Sequence, residues 1–77
     1  MAPHLAPISS QKLLRLLRAL GFEQIRQKGS HCFFRHPGDG RTTVVPLHAS
    51  EDIGKGLLKK ILADIRLDAS EFRRMRR

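Results

Sequence analysis

The chain has 77 residues, of which 40% are hydrophobic, and fifteen Lys and Arg against seven Asp and Glu give a formal net charge of +8. This length predicts one domain over residues 1–77, whose function sits on a surface or in a shallow groove. The apolar content excludes a disordered chain, and the single Cys32 excludes an internal disulfide and a cysteine-based zinc site. The first ten residues lack the pattern of a signal peptide, and no apolar run reaches the ~20 residues of a membrane span, so we expect a soluble cytoplasmic protein.

The positive charge predicts a partner that carries negative charge. A compact body with this excess attracts polyanions, of which nucleic acid is the commonest. An acidic protein or an anionic membrane surface would satisfy the same charge. Part of the excess is local, because four of the last five residues, 73–77, are arginines.

The first half of the chain predicts a lead-in, a helix and a strand. Residues 1–8 hold two prolines and show no periodicity, so we expect a loose segment. The stretch "SSQKLLRLLRALG" predicts an amphipathic helix that is capped by Ser9 or Ser10 and ends at Gly21. Its apolar stripe consists of Leu13, Leu16, Leu17 and Leu20, with Leu14 at the edge. "FEQIRQK" then predicts a strand over residues 22–28.

The second half predicts two more strands and two more helices. Gly29 permits a tight turn into the strand "SHCFFR", and the loop "HPGDGR" leads to the strand "TTVVPL". A polar connection over residues 48–56 precedes the helix "KGLLKKILADI", whose stripe is Leu58, Ile61, Leu62 and Ile65 with Leu57 alongside. "RLDASEFRRM" predicts a short last helix, in which Asp68 and Glu71 fit a capping box. A basic tail follows over residues 73–77.

The order of these elements predicts the fold class. We expect an α+β, two-layer α-β-β-β-α sandwich, in which two helices cover one face of a three-stranded antiparallel sheet. Because side chains alternate along a strand, Cys32 and Phe34 are predicted to face the helices, and His31 and Arg35 to face the open side. In the third strand we expect Thr43, Val45 and Leu47 to point inward.

The stretch "RQKGSH" raises the question of catalysis. Cleavage of RNA through its own 2′-hydroxyl needs a proton acceptor, a proton donor and positive charge around the phosphorus, and an imidazole suits proton transfer at neutral pH. His31 is the candidate for that chemistry, and no metal is required for it. The candidate phosphate-binding residues are Arg26, Lys28, Ser30, Arg35 and Arg41.

The residues alone leave a second interpretation of His31 open. A single histidine beside a turn is commonly an ordinary surface residue. His4, His36 and His48 are predicted to lie in the lead-in, the turn and a loop, and the four histidines show no metal-ligand spacing. Cys32 is predicted to be a small buried residue rather than a nucleophile.

From about residue 11 to residue 72 the chain resembles the HicA-type, or YcfA-like, toxins of bacterial toxin–antitoxin pairs. The resemblance rests on "GF" at the end of the first helix, then "RQKGSH", "FRHP", "VPLH" and "KGLLKKIL", in that order and at that spacing. One departure is Cys32, since a polar residue or a second histidine is common after the motif histidine.

The resemblance implies a fold like the double-stranded-RNA-binding domain. It also implies an mRNA-cleaving ribonuclease that arrests translation, uses no cofactor, and is neutralised by a HicB-type antitoxin. The catalytic histidine of the family's Gly-Ser-His motif corresponds to His31. The alternatives are a non-catalytic module that binds double-stranded RNA, and an interaction protein whose basic face docks an acidic partner.

Overall fold

The computed structural model describes residues 5–47 and 52–76, so the predictions for His4 and His48 lie outside the described residues. In chain order the elements are β1 (Ile8–Ser9), α1 (Ser10–Ala19), β2 (Glu23–Lys28), β3 (His31–Arg35), β4 (Thr42–Pro46), β5 (Asp52–Ile53), α2 (Lys55–Asp64) and α3 (Ala69–Met75). Strands β2, β3 and β4 form an antiparallel sheet in that order, with β3 at its centre. This arrangement confirms the predicted α+β class.

Helix α1 begins and ends where the sequence predicts. The Ser9 hydroxyl accepts a hydrogen bond from the backbone N–H of Lys12 at 3.2 Å, as an N-cap does. At the other end Gly21 adopts a φ of +93°, and the Phe22 N–H donates to the Leu17 carbonyl at 3.0 Å. This hydrogen bond belongs to a Schellman motif, which turns the chain directly from α1 into β2.

Strands β3 and β4 show the alternation that the sequence predicts, whereas all six residues of β2 are exposed. Cys32 and Phe34 of β3 are buried, as are Thr43 and Val45 of β4, whereas Leu47 is half-buried. The buried Thr43 hydroxyl donates to an Asp64 carboxylate oxygen at 3.0 Å, so this polar group under the helices is satisfied. Cys32 is therefore a core residue, as expected.

Two helices supply most of the apolar side chains that cover this face. The buried set is Leu13, Leu14 and Leu17 of α1, and Leu58, Ile61 and Leu62 of α2 with the adjoining Ile65. In α1 the stripe is rotated slightly from the prediction, because Leu14 is buried while Leu16 and Leu20 are only partly buried against the core. Leu57 remains 38% exposed.

Residues 5–8, the part of the predicted loose lead-in that the structure describes, are packed against the rest of the protein. Leu5 and Ile8 are buried in the core, and β1 pairs with β5 through Ile8 opposite Ile53. The guanidinium of Arg76 donates to the carbonyls of Ala6 and Pro7 at 2.7 and 2.8 Å. We call these contacts of residues 5–8 with β5 and Arg76 the terminal clamp. Two-residue strands have no detectable periodicity, so sequence patterning misses them.

Helix α3 has the predicted N-cap but lacks the second half of the predicted capping box. Asp68 is the N-cap, and its carboxylate accepts a hydrogen bond from the Ser70 N–H at 2.7 Å. Glu71 does not close a capping box, because its carboxylate pairs with Arg74 at 2.7 Å. Part of the predicted basic tail is thus helical, and the buried Phe72 anchors it to the core.

No helix in the described residues is long and apolar enough to cross a membrane.

Candidate nucleic-acid interface

A tight hairpin places His31 beside Lys28. The two residues are paired directly across β2 and β3, and both side chains are exposed. The two-residue turn between them needs a positive φ, and Gly29 supplies it at +57°. The Gln27 side chain also donates to the Gly29 carbonyl at 3.1 Å. The hairpin backbone therefore places the residues that carry an imidazole and an ammonium group, His31 and Lys28, directly opposite each other.

Substitution of Gly29 by alanine should weaken this hairpin through the backbone alone. A Cβ at this position would meet no atom within 4 Å, so steric crowding contributes nothing. The left-handed conformation costs a non-glycine residue about 1–2 kcal/mol, and asparagine tolerates it better. We expect the free energy of unfolding in urea to fall by about that amount for Gly29→Ala and by less for Gly29→Asn. Equal losses of stability in the two variants would contradict this explanation, because they would show that the turn adopts a different backbone conformation.

The open face of the sheet consists of three cross-strand rows. From the hairpin end outward, the rows are Lys28, His31 and Pro46; then Arg26, Phe33 and Val44; then Glu23, Arg35 and Thr42. Three of these side chains are cationic and one is anionic, so the face carries net positive charge. Such a face suits contacts with phosphate.

Arg26 and Phe33 contact each other at the centre of this face. The guanidinium carbon lies 4.5 Å from the centroid of the ring, within the range of a cation–π interaction. A β-bulge between Gln24 and Arg26 shifts the register of β2, and it leaves Ile25 55% exposed. The bulge determines which β2 residues face the open side, and no pattern in the sequence predicts it.

The structure brings together four of the six predicted site residues. Arg26, Lys28, His31 and Arg35 share the open face, and all four are exposed. Ser30 is half-buried in the hairpin turn, where its carbonyl accepts a hydrogen bond from the Leu47 N–H.

Arg41 lies apart from the other predicted site residues. Its Nε donates to the Asp39 carboxylate at 2.8 Å, another of its N–H groups donates to the Ile65 carbonyl after α2, and its guanidinium lies 5.1 Å from the Phe22 ring. Hydrogen bonds from the side chain and backbone of Arg41 hold the pKa of Asp39 below its usual value of 3.8. The ion pair between Arg41 and Asp39 is therefore kept at neutral pH, and it is lost only as the pH falls into the acidic range. The Arg41 side chain thus links the loop between β3 and β4 to the C-terminal end of α2.

His36 belongs to the turn, as predicted. Its Nδ1 accepts a hydrogen bond from the Gly38 N–H at 3.1 Å, and its ring packs edge-on against Phe22 with centroids 5.2 Å apart. His31 begins β3 and His36 follows it, and of these two only His31 is exposed on the open face.

These features define a small α+β protein with an open, basic sheet face and a histidine at one end of it. A family model described as the HicA toxin of bacterial toxin–antitoxin systems matches residues 10–67, about three quarters of the chain. The chain belongs to this family, and it is therefore a toxin of a toxin–antitoxin pair with an antitoxin as its partner. No curated protein matches the chain in sequence.

Proposed function

We propose that this toxin is an endoribonuclease that cleaves mRNA and so arrests translation. The observation that carries the proposal is the position of His31. Its exposed imidazole stands on an open cationic face, directly across from Lys28. A histidine that can transfer a proton, next to groups that bind phosphate, suits the cleavage of RNA.

The reaction would use the substrate's own 2′-hydroxyl as the nucleophile. His31 acts as a general acid or base in the transfer of protons. The 2′-oxygen attacks the phosphorus as it loses its proton, the bond from phosphorus to the 5′-oxygen breaks, and that oxygen gains a proton. The products are a 2′,3′-cyclic phosphate and a 5′-hydroxyl. Arg26, Lys28 and Arg35 bind the phosphate and stabilise the charge that develops on it.

The antitoxin would act on the same face. We infer that it is a HicB-type protein that covers His31 or competes with phosphate there, in the cytoplasm where mRNA is translated. An inhibitor that presents acidic side chains to Arg26, Lys28 and Arg35 has the complementary charge.

The products and the metal requirement of the reaction test this proposal. We expect the purified toxin to fragment mRNA in the presence of EDTA and to leave 2′,3′-cyclic phosphate ends. Addition of the antitoxin should stop the reaction. Products with 5′-phosphate ends, or complete inhibition by EDTA, would contradict the mechanism. Binding to duplex RNA that weakens with salt, without any fragments, would instead support the non-catalytic module.

A further inference from the structure

The open face carries an apolar patch that cleavage by His31 alone does not explain. The solvated face of an antiparallel sheet usually presents polar side chains. Here Phe33, Val44 and Pro46 lie on that face, and all three are half-buried. These apolar side chains lie within the cationic surface, in the row that contains His31 and in the row next to it.

Phe33 and Arg26 together offer an aromatic ring and a guanidinium plane on the open face. Phe33 lies on the central strand, and the guanidinium of Arg26 lies 4.5 Å from its ring centroid. Proteins bind unpaired RNA bases by stacking them on aromatic rings and on arginine planes. Both kinds of surface are present here in one contact.

We propose that Arg26 and Phe33 form a stacking site for one unpaired base next to the scissile phosphate, so that the toxin cleaves single-stranded rather than paired RNA. This inference rests on the proposed cleavage function, and it adds the substrate class, one further binding residue, Phe33, and a stacking role for the Arg26 guanidinium.

The spacing along β3 supports this placement. Phe33 is two residues from His31 on the same face, which corresponds to about 7 Å along the strand. A nucleotide whose base stacks on Phe33 can thus present its phosphate to the imidazole. Lys28 and Arg35 lie in the rows on either side and can bind the flanking phosphates. In a duplex each base is already stacked and paired, so it cannot reach the stacking site without leaving the helix.

The test combines protein variants with altered substrates. A single-stranded RNA oligonucleotide with one cleavage site is compared with the same RNA in a duplex, and with versions that lack one base near the site. Loss of one stacking contact corresponds to about a 5- to 150-fold effect. We expect Phe33→Leu and Arg26→Lys to lower kcat/KM on the intact single strand within this range. Removal of the base at one position should lower it comparably for the unaltered toxin.

The decisive measurement is whether the effect of Phe33→Leu depends on the presence of the base in the RNA. If the ring binds that base, Phe33→Leu should have little further effect on the abasic RNA. Arg18→Lys is the matched control, because Arg18 lies 6.0 Å from the Phe34 ring on the covered side of the sheet. It should leave the preference for the intact base unchanged. Circular dichroism and the melting temperature check that each variant is folded.

Three outcomes would overturn the inference. Phe33→Leu could lower cleavage of intact and abasic RNA equally, which would make the ring a structural support. The unaltered toxin could cleave the duplex as well as the single strand. Phe33→Leu could also leave RNA cleavage unchanged and weaken only antitoxin binding, which would make the stacking site a protein contact.

The same oligonucleotides separate this inference from the proposed function. Affinities are measured with the His31→Ala variant, which should bind RNA without cutting it. If the unaltered toxin cuts no RNA, yet His31→Ala binds the single strand more tightly than its abasic version, cleavage fails and the stacking site stands. If RNA is cut with no dependence on any single base, the stacking site fails and the function stands.

Discussion

The His31→Ala variant should lose RNA cleavage and toxicity while it keeps its fold. General acid–base catalysis by one side chain contributes typically about 10²–10⁴-fold, so we expect the cleavage rate to fall by at least ~10². Because the imidazole is exposed, its removal should change the free energy of unfolding by no more than about 0.5 kcal/mol. Growth after induction, fragmentation of mRNA and cleavage of a defined oligonucleotide measure the effect.

Lys28→Met is the informative companion to this variant. It keeps the length of the side chain and removes the charge directly across from His31. If Lys28 only binds phosphate, the variant should retain activity with a raised KM and a weaker dependence on salt. If it also donates the proton to the leaving oxygen, kcat should fall nearly as far as for His31→Ala. Unchanged toxicity and RNA cleavage in His31→Ala itself would reject the mechanism.

Phe34→Ala should destabilise the protein far more than Phe33→Ala, although the two residues are neighbours. Phe34 is fully buried against the helices, whereas Phe33 is half-buried on the open face. Truncation of a buried phenylalanine costs about 3–5 kcal/mol, a large part of the ~4–12 kcal/mol expected for a chain of this length. We expect Phe34→Ala to be largely unfolded at 37 °C and Phe33→Ala to lose about 1 kcal/mol or less.

Urea denaturation followed by circular dichroism compares the two variants directly. Phe33→Ala should remain folded and lose RNA affinity, so its defect appears in binding rather than in stability. Comparable losses of stability in both variants would contradict the assignment of the two faces of β3. Since a slip of one residue exchanges the faces of a strand, this pair also tests the register of the sheet.

Much of this fold could be predicted because its signals are local. Serine before the apolar run and glycine after it define α1, and strict alternation in β3 separates Phe34 from His31. The same alternation, together with a glycine at the turn, placed His31 on the open side with Lys28 close by. The family resemblance added the role of the histidine, which alternation and charge leave open.

The features that could not be predicted depend on contacts between distant parts of the chain. Arg26 and Arg41 are both arginines near strands, yet one lies on the open face and the other joins the loop to α2. The difference comes from the β-bulge beside Ile25 and from the position of the Ile65 carbonyl, neither of which has a sequence signal. The pairing of β1 with β5 is likewise set by packing, because a strand of two residues has too little pattern to recognise.

The terminal clamp also bears on how this toxin should be shortened for experiments. The family match covers residues 10–67, but Leu5, Ile8 and Phe72 lie outside it and are buried in the core. A fragment trimmed to the matched region would expose the apolar surface beneath these side chains, each worth about 1.5–3 kcal/mol of burial. The unit that folds is therefore longer than the unit that is recognisable by sequence, and truncation boundaries should be chosen from the packing.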